Sequence, residues 1–278
     1  MAHLDLVDLL SDSTKQRMLA KSNSGQMPLL AVFDGHGGDK CAEACARSLP
    51  GHVARVIEEL VGAKEGDSAI NVDAVVTSAL TTAFERMEEE MHEMFVEKKE
   101  NSGACACCVI MSDEHGKGYL HIANLGDCRA VLGRVSSRGV TTAVKLTWDH
   151  RATHPDEAKR IVAAGGEVKD KRALGDLIPS RTLGDFKTKN KCVGAVIAVP
   201  DVTKGDLIED DRFLILASDG LWDDLKLDKV IEIAARSRTP DAACKAIATA
   251  VIKKYGAKNT KPNDDLTILA AYFTHGVH

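Results

Sequence analysis

The stretch AVFDGHGG, residues 31–38, ends an apolar run on an acid and a histidine that are surrounded by three glycines. The overlapping run MPLLAVFD, residues 27–34, has the length and composition of a short buried strand. A plain turn after such a strand needs neither His36 nor so many glycines. The strand end is therefore a candidate functional position, and its importance depends on whether other acids join Asp34.

The length and charge of the chain restrict its class. With 278 residues, 44% of them hydrophobic, the chain can form a large core, and no stretch resembles a domain boundary. We therefore expect a single domain over residues 1–278. A formal net charge of −5 argues against a nucleic-acid partner. No apolar run reaches the roughly 18 residues that a membrane span requires, so we expect no such span.

The eight cysteines indicate a reducing environment. Several of them stand in apolar strand-like or helical stretches, and CACC at residues 105–108 lacks the spacing of a zinc site. Buried thiols are therefore favoured over a disulfide framework. This interpretation predicts a cytoplasmic location, with the nucleus as the other reduced compartment.

Helical and strand-like segments alternate in blocks along the chain. Helical spacing extends over residues 39–60, with a break expected near Pro50, and over about 72–98. Short strand-like runs separated by turn residues then occupy residues 104–147, which predicts an antiparallel meander. A compact helix after Pro155, an apolar strand, two further helices and a closing strand complete the chain. This order is typical of a layered α+β fold and not of a regular βαβ series.

Two more apolar runs place acids at strand ends. FLILASD, residues 213–219, ends on Asp219, and the last apolar run begins at Asp264. Carboxylates within ~4 Å of one another repel by about 1 kcal/mol per pair in water and by several in a protein environment. A cluster of Asp34, Asp219 and Asp264 therefore requires cations. Ligands that are all oxygen atoms suit magnesium or manganese rather than zinc.

Glycine follows two of these acids. Gly35 can present its backbone carbonyl to a metal with no side chain in the way, and Gly220 is expected to let the strand turn sharply. Taken alone, each Asp-Gly pair is also a common turn. A single acid of this kind therefore does not establish a site.

Eight motifs resemble, in order, those of the metal-dependent Ser/Thr protein phosphatases of the protein phosphatase 2C (PPM) family. They are VFDGHGG, SGACACCVI, NLGDCRAVL, LTWDH with HPDEAKRIVAAGGEV, PSRTLGD, VPDV, LILASDGLWD and DDLTILAAYF. The resemblance extends over about residues 28–273. It implies an α+β fold, a four-layer α-β-β-α sandwich of two antiparallel sheets flanked by helices, with a two-metal site at one end. It also implies a phosphoprotein substrate.

The resemblance also implies the metal ligands. Asp34 would bridge two Mn²⁺ or Mg²⁺ ions, and the carbonyl of Gly35 would bind one of them. Asp219 of the SDG motif and Asp264 of the DDLT motif would hold the other ion. These four residues are the metal ligands that the sequence predicts.

The mechanism implied by the resemblance is direct hydrolysis of phosphoserine or phosphothreonine. Asp34 would be the protein ligand shared by the two ions. A water that also bridges these ions would attack phosphorus. His36 matches the position proposed as general acid to the leaving alkoxide, a task that suits a pKa near the working pH. Asp127 of GDCR and Asp223 of GLWD match positions that help to form a weaker third metal site.

The N-terminal segment departs from the family pattern. The family usually has an arginine that grips the phosphate, followed by an acid that supports the second metal through water. Here Asp12 stands at a suitable distance before Asp34 to be that outer-shell acid, although it could equally cap or solvate a helix. Arg17, the nearest arginine, follows it instead of preceding it. The shortened or atypical motif leaves an alternative function, a pseudophosphatase that binds or regulates with weak or no turnover.

Two smaller features also differ or stay open. The last motif has Asp265 where the family usually has asparagine, and this acid either strengthens cation attraction or faces solvent. In SRTLGD, Arg181 and Asp185 are interpreted as structural rather than catalytic, and an ion pair beneath the site is one possibility.

Overall fold

Two antiparallel sheets and two groups of helices form the part of the protein that the computed structural model describes, residues 2–64, 69–256 and 264–273. The strands are β1 Ala2–Asp5, β2 Pro28–His36, β3 Gly103–Glu114, β4 Lys117–Leu125, β5 Arg129–Val135, β6 Thr141–Lys145, β7 Val168–Lys169, β8 Arg172–Ala173, β9 Leu183–Gly184, β10 Asp201–Asp206, β11 Asp211–Ala217 and β12 Ile268–Tyr272. The α-helices are α1 Asp12–Met18, α2 Lys40–Gly62, α3 Val72–Lys98, α4 Pro155–Ala163, α5 Phe186–Lys189, α6 Asp219–Trp222, α7 Leu227–Ala235 and α8 Pro240–Gly256, and a 3-10 turn spans Leu6–Leu9.

The strand order separates the predicted meander into two sheets. The first sheet has the order β1-β2-β3-β4-β10, with β9 paired to β3, and the second has the order β12-β11-β5-β6. The strands expected within residues 104–147 are present, but β4 and β5 belong to different sheets, so the single meander was wrong. The chain crosses between the sheets at Gly126, whose φ of +94° is a conformation that glycine adopts at little cost.

Side-chain alternation along β2 shows why the sheets stack. Leu29 and Phe33 belong to the core beneath helices α2 and α3. Leu30 and Val32 belong to a second core that also contains residues of β11 and β5. Because successive side chains of a strand point to opposite faces, Asp34 continues the face of Leu30 and Val32. Its carboxylate therefore lies at the end of the space between the two sheets.

Helices cover the outer face of each sheet. The second sheet packs Phe213 and Ile215 of β11 against Val230 of α7 and Ile247 of α8. Together with α2 and α3 on the first sheet, this arrangement confirms the predicted four-layer α-β-β-α sandwich of the α+β class. Two of the helices predicted from periodicity, 72–98 and the one that follows His154, agree with α3 and α4.

Helix α2 contradicts the break expected near Pro50. The helix is continuous from Lys40 to Gly62 with Pro50 inside it. Proline in a helix interior removes one backbone hydrogen bond and costs about 3 kcal/mol. Leu49 and Val53 on either side of Pro50 are fully buried in the core, and this packing outweighs the local cost.

All eight cysteines are free thiols, and six of them are buried. The CACC segment lies inside β3, where Cys105, Cys107 and Cys108 are nearly or fully inaccessible. This confirms that the segment is a buried strand. Within the described ranges, no helix is both long and apolar enough to traverse a bilayer.

Candidate active site

Four aspartates converge where the two sheets meet: Asp34 near the end of β2, Asp127 between β4 and β5, Asp219 after β11, and Asp264 before β12. Burial, together with the negative charges of Asp264 and Asp127, raises the pKa of Asp34 to about 6, and a hydrogen bond links its carboxyl group to that of Asp219. Burial and the charges of Asp127, Asp34 and Asp264 raise the pKa of Asp219 to about 7. Carboxylates placed this close resist simultaneous ionisation. The cluster therefore attracts positive charge.

Asp34 is held by pairing of β2 with β3, in which Asp34 lies opposite Cys105 and His36 opposite Gly103. Gly35 packs tightly beside it. A Cβ atom added to Gly35 would lie 3.0 Å from the Cβ of Ala42 on helix α2. Only glycine lets the first turn of α2 approach the strand end this closely.

Asp219 and Asp264 are placed by a set of hydrogen bonds at Ser218. The backbone N–H of Ser218 donates to the carbonyl of Thr267 at 3.1 Å, and the N–H of Thr267 donates back to Ser218 Oγ at 3.1 Å. Ser218 Oγ also donates to the carbonyl of Asp265 at 3.3 Å. These bonds therefore join the end of β11 to the segment before β12, the two places where Asp219 and Asp264 stand.

Gly220 has a different purpose from the one that the sequence suggested. It lies within helix α6 and not at a turn, and a Cβ atom at this position would be 2.2 Å from the carbonyl oxygen of Asp265. The glycine is required by close approach of two backbones. The Asp265 side chain itself is exposed. Of the two roles that the sequence left open for this acid, cation attraction or facing solvent, its exposure agrees with the second.

Asp127 is supported by His150, which the sequence did not suggest. The N–H of Gly126 donates to His150 Nδ1 at 3.2 Å, and the N–H of His150 donates to the Gly126 carbonyl at 2.9 Å. His150 Nε2 donates to Asp201 at 2.9 Å. Burial lowers the pKa of His150, so the ring stays neutral and can accept at Nδ1. The signal in the sequence was the LTWDH motif, which contains His150. This residue lies beside Gly126, where the chain crosses between the two sheets.

His36 is paired with Asp185, at 2.7 Å between Nε2 and Oδ2. Asp185 is buried and has a φ of +55°. A Cβ atom on Gly103 would lie 2.1 Å from the Asp185 carboxylate, so glycine leaves room for this acid. Burial alone would lower the pKa of His36, but the hydrogen bond and charge of Asp185, with the charge of Asp34, raise it. Asp185 therefore touches a candidate catalytic group, a contact that the sequence did not reveal.

Arg181 forms ion pairs beneath this region. Its guanidinium contacts Glu157 and Asp201, each at 2.7 Å. Asp201 also accepts the hydrogen bond from His150, so Arg181 belongs to the network that supports the chain at Gly126, between β4 and β5. The structural interpretation of Arg181 agrees with these contacts.

Arg151 lies among the acids, and the sequence did not indicate this. Its Nε donates to Asp127 at 2.9 Å, and its Nη2 donates to Asp219 at 3.1 Å and to Asp223 at 2.9 Å. Asp127, Asp219 and Asp223 are therefore brought together around a guanidinium. Within the described ranges, no group of three or more acid, imidazole or thiol side chains is arranged to hold a metal ion.

Asp12 is not brought to the cluster. It lies in the first turn of α1 with a fully exposed side chain, 3.8 Å from Lys15. The reason is the pairing of β1 with β2, in which Asp5 lies opposite Pro28. The chain therefore leaves β1 beside the first residue of β2, whereas Asp34 lies near the last. Helix α1 follows from this far end of the strand.

Arg17 also faces away from the acids. Its guanidinium donates to the carbonyls of Val61, at 2.7 Å, and Lys64 at the C-terminal end of α2. Since Gly35 packs at the other end of this helix, and its 23 residues extend over about 35 Å, Arg17 cannot replace the expected phosphate-binding arginine. Its observed role is to hold α1 on α2.

Comparison with known proteins agrees with the motifs. The family model "Protein phosphatase 2C" matches residues 8–263. A probable protein phosphatase 2C of Oryza sativa is 37% identical over 79% of this chain and 52% of its own length. The human integrin-linked kinase-associated serine/threonine phosphatase 2C is 32% identical over 90% of this chain and 65% of its own length. The chain thus spans between half and two thirds of the length of these relatives.

Solved structures show the same architecture. A serine-threonine phosphatase 2C from Toxoplasma gondii superposes with a TM-score of 0.76 and 21% identity over 89% of this chain and 85% of its own. A sex-determining protein of C. elegans superposes with a TM-score of 0.68 and 22% identity over 88% of this chain and 56% of its own. At these identities the likeness concerns the fold, and the family follows from the match of residues 8–263: the chain belongs to the protein phosphatase 2C family.

Proposed function

We propose that the protein hydrolyses phosphoserine and phosphothreonine in phosphoproteins with two Mn²⁺ or Mg²⁺ ions. Asp34, the Gly35 carbonyl, Asp219 and Asp264 would hold these ions. The observation that carries the proposal is the pair Asp34 and Asp219, which come from different sheets and have pKa values raised to about 6 and about 7, with the charge of Asp34 contributing to the rise at Asp219. Divalent cations would relieve this repulsion, and a donor set made only of oxygen suits Mg²⁺ or Mn²⁺.

The residues of the chain have distinct tasks in this reaction. When bound, the ions supply an activated water and offset charge on the phosphoryl group. His36 donates a proton to the leaving serine or threonine oxygen. Because Asp185 engages Nε2, the N–H at Nδ1 is the one that serves the leaving group. The raised pKa of His36 keeps that proton in place near neutral pH.

A second candidate function is a pseudophosphatase, a binding or regulatory protein with weak or no turnover. The orientation of Arg17 favours it, because this guanidinium is bound to backbone carbonyls far from the acids. Arg151, the arginine beside the acids, is engaged by three carboxylates. Weak binding of the substrate phosphate would follow, since a free bidentate guanidinium gives stronger phosphate binding than a point charge.

Turnover with Mn²⁺ distinguishes the two functions. Hydrolysis of a phenyl phosphate ester and of a phosphothreonine peptide is measured for wild type, for Asp219→Asn, and for Asp12→Asn as a matched control. We expect Mn²⁺-dependent activity that Asp219→Asn abolishes and that Asp12→Asn retains, because Asp12 is exposed and remote. Mn²⁺ binding without turnover by wild type would contradict the hydrolase and support the regulatory protein.

The surroundings of the enzyme are part of the same proposal. The free thiols of all eight cysteines support a reducing compartment, the cytoplasm or the nucleus. The third ion that the sequence suggested at Asp127 and Asp223 is not needed by this proposal. Two ions and His36 account for the reaction.

A further inference from the structure

Arg151 fills the space between three carboxylates. Its Nη2 lies 3.1 Å from Asp219 Oδ2 and 2.9 Å from Asp223 Oδ2, while its Nε lies 2.9 Å from Asp127 Oδ2. An arginine is always protonated in a protein, and its planar fork can engage several carboxylates at once. One guanidinium therefore bridges the two acids expected at a third metal site, Asp127 and Asp223, as well as one acid of the two-metal site.

The position of Arg151 is determined by its backbone. Arg151 forms a bridge with Pro179, and the next residue, Ala152, donates from its N–H to the Ile178 carbonyl at 2.9 Å. The Arg151 side chain is 25% exposed, and its partner Asp127 is 4% exposed. A carboxylate buried to this degree needs a paired positive charge. Arg151 supplies that charge from within the chain.

A metal ion and this guanidinium exclude each other. Mg²⁺ requires ligand oxygens at about 2.0–2.1 Å in a near-octahedral arrangement, and Oδ2 of Asp127 and Oδ2 of Asp223 already accept from N–H groups of Arg151 at 2.9 Å. An ion here would also meet a fixed positive charge at short range. The residues of the expected third site therefore do not fit a third ion.

We propose that the guanidinium of Arg151 takes the place of a third metal ion, so that the protein binds no divalent cation between Asp127 and Asp223. Arg151 is then a positioning residue, which acts through Asp219 on the two-metal site. The inference rests on the proposed function in that Asp219 is taken as a metal ligand.

The number of bound ions tests this inference. Equilibrium dialysis against millimolar Mn²⁺ is carried out with wild type, Arg151→Gln and the double variant Arg151→Gln/Asp223→Asn, and thermal unfolding verifies that each is folded. We expect Arg151→Gln to bind about one more Mn²⁺ than wild type, and the double variant to lose that ion. If Arg151→Gln binds no more Mn²⁺ than wild type, the inference is overturned, whatever number wild type binds.

If Arg151→Gln does not fold, a single substitution of Asp223, whose side chain is exposed, still tests the inference. Asp223→Asn in the wild-type background leaves the number of bound Mn²⁺ ions unchanged if Arg151 occupies the site. Loss of one ion in that variant overturns the inference. The number of Mn²⁺ ions bound by wild type tests the proposed function separately: two bound ions would support it, and the absence of any bound ion would contradict it. The inference about Arg151 concerns only the change in that number that each variant makes.

Discussion

Asp34 and Asp219 determine how the site responds to pH. Each carboxyl group is partly buried beside other acids, and the pKa values are raised to about 6 and about 7. Metal ligands must be deprotonated, so binding of a cation has to displace these protons. Below neutral pH, protons and metal therefore compete for the same oxygens.

We predict that affinity for Mn²⁺ decreases as the pH is lowered from 8 to 6. Both acids are largely ionised at pH 8, whereas at pH 6 Asp219 is largely protonated and Asp34 about half protonated, which gives the direction of the change. Calorimetric titration in buffers with different ionisation enthalpies measures both the affinity and the protons released. An affinity that does not change over this range would contradict the raised pKa values.

A second residue-level prediction concerns Asp185. Its carboxylate raises the pKa of His36, so Asp185→Asn lowers that pKa. The general acid would then lose its proton at lower pH, and the alkaline limb of the kcat profile shifts toward lower pH, with kcat reduced by roughly 10–100-fold at pH 8. Asp176→Asn is the matched control, since Asp176 contacts Lys191 and Thr188. If kcat depended on pH in the same way for both variants, Asp185 would have no role in setting the pKa of His36 during the reaction.

At the element level, the short helix α6 and the start of β12 approach each other so closely that a side chain between them is excluded. Gly220 of α6 meets the Asp265 carbonyl, and Ser218 connects the same two segments. Gly51, in the middle of α2, has open space around it. The two helical glycines therefore respond oppositely to an added methyl group.

We predict that Gly220→Ala destabilises the protein and weakens Mn²⁺ binding, whereas Gly51→Ala stabilises it. The first change forces a Cβ atom into backbone and costs roughly 1–3 kcal/mol. The second improves helix propensity by about 0.5–1 kcal/mol. Urea unfolding and Mn²⁺ titration of both variants provide the measurements. If Gly220→Ala were as stable as Gly51→Ala, the close approach would be refuted.

At the scale of the whole molecule, the site joins two sheets with separate outer cores. Asp34 is carried by the first sheet, and Asp219 and Asp264 by the second. A cation bound by all three would therefore connect the halves of the sandwich. Its binding free energy would appear in the unfolding of the whole molecule, because the unfolded chain cannot keep these residues together.

We predict that Mn²⁺ raises the Tm of wild type but has little effect on Asp219→Asn. At a free concentration 100 times the Kd, a single site adds about 2.7 kcal/mol to the free energy of unfolding. Scanning calorimetry with and without chelator measures the difference. An equal rise in Tm for both proteins would place the stabilising ion elsewhere.

The residues of the site differ in how far the sequence revealed them. Asp34, Asp219 and Asp264 were predictable because each stands at the boundary of an apolar strand, and that pattern is local. Arg151, His150 and Asp185 were not, because their partners are distant in the chain, as for His36 and Asp185, 149 positions apart. Such contacts depend on which strands pair and where the chain crosses between sheets.

The sequence by itself determined most of the longer helices and strands, the layered α+β class and the family, because period-two and helical hydrophobic patterns and the ordered motifs are properties of the chain. The tertiary structure alone decided which sheet each strand joined, that Asp12 and Arg17 lie away from the acids, and that Arg151 lies among them. The physical reason is that charge and burial act through space. A carboxylate responds to the groups packed around it, and the sequence does not state which groups those are.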